Sequence, residues 1–157
     1  MEKFIQYLET AEKSIRIADH MIYVTFPLIK EKRLLLKILS EINFATLNLI
    51  NSALQYDYLY KKITLVKDAR TNFRTFTEKC ASRYEITNDE IKLIIDLIDT
   101  AEKHKKSPFE FVRNEKVVIL SENLKPKTIT VDKTKEFLIM SKNLLEKVRA
   151  NIIKNPR

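Results

Sequence analysis

Glycine is absent from all 157 residues. At average usage about 11 would be present. The absence excludes the glycine-rich loops that cradle phosphates, including dinucleotide-binding fingerprints, Walker A loops and nucleophile elbows. It also argues against a turn-rich all-β fold, because hairpin turns draw on glycine for positive φ. Tryptophan is missing too, and cysteine occurs once, as Cys80. A single cysteine forms no internal disulfide, which fits a reducing cytoplasm. The two histidines, His20 and His104, lie far apart in sequence, so zinc-ligand spacing is absent and neither a metal nor another cofactor is expected. The start of the chain reads Met1-Glu2-Lys3, with no signal-peptide pattern. No apolar run approaches the ~18 residues of a membrane span.

What is present is helical periodicity. Phe4, Leu8, Ala11, Ile15, Ala18 and Ile22 recur every three or four residues and predict a first helix over about 2–24. Pro27 then predicts a helix boundary. A second, longer helix is expected over about 28–62, with Leu35, Ile38, Ile42, Ala45, Leu49, Ser52, Tyr56 and Tyr60 in one stripe. Its other faces carry Leu36, Leu39, Leu47, Ile50 and Leu54, so it reads as the central helix. Tyr56, Tyr58 and Tyr60, followed by Lys61 and Lys62, read as core packing in preference to a base-stacking platform. A third helix over about 65–83 has Val66, Ala69, Phe73, Phe76 and Cys80 as its buried stripe. Thr87 and Glu90 form a capping box that starts a fourth, to about Lys105. Ser107-Pro108-Phe109-Glu110 has the same pattern and predicts one more short helix. The period then changes. Val117 to Leu120 and Thr128 to Val131 are β-branched runs around the turn formers Glu122 to Pro126, which predict a β-hairpin at about 116–131. A last helix from near Asp132 packs Phe137, Leu138, Ser141, Leu144, Leu145, Val148 and Ile152. The expected fold is all-α, one domain over 1–157. It is a helical bundle with two long leading helices and a small β-hairpin before the C-terminal helix.

The net charge of +8 is unevenly placed. Residues 1–60 balance, whereas 61–83 and 103–135 each carry an excess of +5 and 84–102 an excess of −5. On the third helix Lys67, Arg70 and Arg74 share one stripe. Around the hairpin stand Lys105, Lys106, Arg113, Lys116, Lys125 and Lys127. Clusters of this kind bind nucleic acid because each cation over a phosphate releases condensed counterions. Asp89, Asp96 and Asp99 read as a solvated outer face, and His104 as plain surface at a helix C-terminus.

Arg16 and His20 lie one turn apart on the first helix. The two long leading helices and the shorter pair behind them, over about residues 1–105, give a helix layout that resembles the HEPN-type helical proteins. That resemblance implies RNA cleavage, nucleotide binding or a toxin–antitoxin role, with a catalytic Arg, four to six intervening residues, then His. Here three residues separate Arg16 from His20. The chain also resembles small basic proteins of archaeal type. The leading expectation is a non-catalytic protein of the cytoplasm that binds RNA or a ribonucleoprotein through its basic surface. The alternatives are a helical protein–protein module, antitoxin-like, an assembly partner or a homodimer, and a HEPN-like ribonuclease.

Overall fold

A computed structural model describes residues 2–154; the ends of the expected 1–157 domain lie outside the described residues. The structure is mostly helical, with one small antiparallel sheet. No helix among the described residues is long and apolar enough to cross a membrane.

Helix α1 (Lys3–His20) runs on through a π-helical turn (Met21–Thr25) into α2 (Phe26–Ile29). Pro27 therefore does not mark the boundary expected from sequence. Proline lacks an N–H and crowds the carbonyl four residues back, and the widened turn just before it absorbs that misfit. The chain breaks three residues later, where Lys30 adopts a left-handed conformation (φ 58°).

Helix α3 (Leu34–Leu59) is the centre of the molecule. Its Leu35, Ile38, Ile42, Ala45 and Leu49 are all sealed from solvent. Helix α1 lies antiparallel along it, and Ala11, Ala18 and Ala45 let the backbones approach. Ser52 donates its hydroxyl to the Phe4 carbonyl at 2.7 Å, fixing their ends in register. Tyr56 continues the buried stripe, edge-on to Phe4 at 5.1 Å, so it is a core residue as its spacing predicts.

The third segment departs from expectation. Helix α4 is only Ala69–Thr75, followed by a second π-helical turn, Phe76–Cys80. Val66 (52% exposed) and Ala69 lie outside the core, whose stripe begins with half-buried Phe73. The cause is local. Asp68 is the helix N-cap, accepting from the Arg70 N–H (3.3 Å) and the Thr71 hydroxyl (2.7 Å). Asn72 then grips Val66 through both its N–H and its carbonyl, holding the preceding loop on the surface.

Helix α5 (Asn88–Lys106) starts at the expected capping box, with the Glu90 N–H donating to the Thr87 hydroxyl (3.1 Å) and the Thr87 N–H to the Glu90 carboxylate (2.9 Å). The expected short helix after Ser107 is instead strand β1 (Phe109–Arg113), paired with β2 (Lys116–Leu120), which pairs in turn with β3 (Pro126–Ile129). Ser107 donates to the Leu120 carbonyl (2.7 Å) and accepts from the Phe109 N–H (3.2 Å), so it pins a strand edge and does not cap a helix. Glu110 reaches His104 and not back to residue 107. The hairpin of the sequence reading is thus the β2–β3 half of a three-stranded sheet. Helix α6 (Val131–Lys154) closes the structure, antiparallel to α1, with Arg149 on Glu12 (2.6 Å) and Lys142 on Asp19.

Candidate nucleic-acid interface

The register of the sheet sorts its side chains. One face carries Glu110, Val112, Val117, Ile119, Lys127 and Ile129. Val117, Ile119 and Ile129 on it are fully buried, so this face packs inward. The opposite face carries Phe109, Phe111, Arg113, Lys116, Val118, Leu120, Pro126 and Thr128. Phe109, Arg113, Lys116, Pro126 and Thr128 are exposed there. That face contains no acidic side chain. Of the acids nearest to it, Glu110 lies on the inner face with His104 and Glu115 in the turn with Lys32 at 2.8 Å, while Glu122 is exposed beyond the end of β2.

The nine basic residues singled out from sequence do not form one surface. Arg113 and Lys116 stand opposite each other on the outward face of the sheet, both exposed. Lys127 points the other way, into a half-buried cluster with Asp96, 2.8 Å from its carboxylate; Lys133 completes it at 3.1 Å. Asp96 is therefore not part of a solvated face, and Lys127 is neutralised at home. Lys106 pairs with Glu102 (3.3 Å). Lys106 and Lys125 line a groove between α5 and the β2–β3 turn that also holds Asp99, Glu102 and Glu122, so its charge is mixed. Lys105 is exposed at the end of α5.

Lys67, Arg70 and Arg74 are exposed, but Lys67 precedes α4, so only Arg70 and Arg74 share its helical face. This group is also distant from the sheet. Lys62 and Arg83, on either side of α4, both bond Asp57 near the C-terminal end of α3. The sheet is held at the N-terminal end, by Lys32 on Glu115 and by Arg33 on the Glu110 carbonyl (3.3 Å). The two anchor points lie toward opposite ends of this 26-residue helix, which is about 39 Å long at 1.5 Å per residue.

Two further clusters are charged but inward. Asp57 is 1% exposed and accepts from Arg83 and from the Tyr84 hydroxyl (3.2 Å), with the buried Cys80 thiol nearby. Burial pushes both the thiol and the phenol well up, and the adjacent carboxylate pushes them further. Such a thiol is inert. In the other cluster, burial raises Asp96, but the ammonium groups of Lys127 and Lys133 outweigh it and hold the carboxyl below its ordinary value of 3.8. A depressed carboxyl stabilises the fold above its unfolded pKa and loses that contribution as pH falls through the folded one. Asp96→Asn should therefore lower the urea midpoint at about pH 7, with the gap to the parent narrowing as the pH falls below the ordinary carboxyl value of 3.8. An unchanged gap would remove Asp96 from the acid response.

Arg16 and His20 are both exposed on the α1 side, with Arg16 on Glu12 (3.7 Å). Phe109 and Phe111 were not legible as site residues in the sequence, because the capping-box pattern around Ser107 and Glu110 predicts a helix there. The signal available was the alternation Phe109-x-Phe111-x-Arg113 ahead of Asn114. No protein-family model matches the chain, and no curated protein matches it.

Proposed function

We propose that this is a non-catalytic helical-bundle protein of the cytoplasm that binds RNA, alone or in a ribonucleoprotein, through phosphate contacts centred on the outward face of its sheet. One observation carries the reading. Arg113 and Lys116 are a directly opposed cross-strand pair of like charge, on a face without an acid. Like charges in that position are destabilising. A phosphate seated between them relieves the repulsion and releases counterions. The exposed Lys105 adds to the field. Arg70 and Arg74, at the other end of α3, form a separate basic patch that only an extended polyanion spans together with the sheet.

The test is the salt dependence of RNA binding. With about three phosphates contacted, by Arg113, Lys116 and Lys105, log affinity against log salt for a short single-stranded RNA should slope by about −2. The double variant Arg113→Glu/Lys116→Glu should lose most affinity and flatten that slope. Charge reversal of Lys67, Arg70 and Arg74 should leave a short oligonucleotide bound. Little base specificity is expected, because phosphate contacts position without reading sequence. A folded double variant that binds like the parent at the same salt would overturn the reading.

A further inference from the structure

Building on the phosphate-binding reading, we infer that the outward face of the sheet is a stacking platform for unpaired bases, so the RNA it selects is single-stranded. Phe109 is 58% exposed and its ring centroid lies 5.6 Å from that of Phe111, two residues along the same strand. The other close aromatic pairs are different: Phe4 with Tyr56, Tyr56 with Tyr60, and Phe73 with Phe76 each include a buried ring. Phe109, with half-buried Phe111 beside it, instead lies on the face of the sheet opposite the fully buried Val117, Ile119 and Ile129, next to buried Val118 and half-buried Leu120. An aromatic ring left in water gains nothing for the fold. What makes it useful is a flat apolar partner carrying negative charge. The cations Arg113 and Lys116 continue the line of the two phenylalanines along the same face. A strand of nucleotides laid along β1 and β2 would set bases over the rings and phosphates over the cations, the combination that single-stranded binding surfaces use. A duplex keeps its bases stacked inside and offers this face only its backbone and shallow groove.

The measurement is anisotropy with the full chain and three probes of equal length: a single-stranded RNA oligonucleotide, the same strand annealed to its complement, and an abasic strand of the same phosphate number. The parent should bind the single strand about ten-fold more tightly than the other two, the scale of one stacked base. Phe109→Ala should lose that preference and leave the salt slope and the duplex affinity unchanged. Phe109→Tyr, which keeps an aromatic face, should retain the preference. Equal binding of the single and abasic strands by the parent, or a Phe109→Ala variant that still prefers the single strand, would overturn the stacking platform while leaving the phosphate reading intact. Absence of salt-dependent binding to any of the three probes would remove both.

Discussion

Arg83→Met is expected to cost about 3 kcal/mol of unfolding free energy, because it strands a carboxylate inside the protein. Asp57 is almost completely buried on the central helix, and Arg83 is the cation that reaches it. The Tyr84 hydroxyl also donates to Asp57, but it carries no positive charge. Removing the guanidinium therefore leaves a charge with dipoles only. Arg83 itself is one-third exposed, so the reverse change, Asp57→Asn, leaves a cation that still reaches water and should cost less. The double variant Asp57→Asn/Arg83→Met should recover a large part of the single loss. Urea unfolding of all four proteins closes the cycle. Additive losses would mean that the two groups do not act as a pair.

Ile42→Ala and Leu49→Ala should each lower stability by roughly 2–5 kcal/mol, the transfer term plus that of the cavity left behind. Both side chains are 0% exposed and belong to the stripe of α3 that meets the other helices. Against a typical total of about 5–15 kcal/mol, either change takes a large share. The outward-facing Phe44 and Leu47 of the same helix serve as controls; at half and one-third exposure they leave no sealed void when truncated. A loss below about 1 kcal/mol at both Ile42 and Leu49 would show that the core is organised around another element.

The helices were legible because burial writes a period of three to four residues into them, and the Thr87–Glu90 cap because its two hydrogen bonds are local. The ends of helices were less so. Pro27 breaks an ideal helix, and nothing in its neighbours announces the π-helical turn that carries the chain through it. The loop before α4 is set by Asn72 reaching back six residues, a contact that hydropathy does not record. For the candidate site, residue types were legible and their placement was not. Basic charge could be counted, but only the register shows that Arg113 and Lys116 face outward while Lys127 turns inward to Asp96. Strand β1 was hidden because Ser107 and Glu110 imitate a cap, while their actual partners, Leu120 and His104, come from tertiary packing.

The missing glycines leave a trace in the backbone. Lys30, Lys61, Glu85, Asn114, Glu115 and Leu124 all hold positive φ, between 50° and 64°, where glycine is the usual occupant. The β1–β2 turn is the plainest case: two residues join the strands, both left-handed, as a type I′ hairpin requires, and only Asn114 has a side chain that eases it. Each Cβ in that region costs about 1 kcal/mol or more. In an unfolded chain the same side chains restrict the backbone more than glycine would, which returns part of that cost. The consequence is a division of labour between the two states. The turns fit the native structure imperfectly, yet they deny the disordered chain the freedom that a glycine hinge would give it. Cohesion is thereby concentrated in the helices, and the loop ends become the places where small sequence changes most readily retune how firmly the molecule holds together.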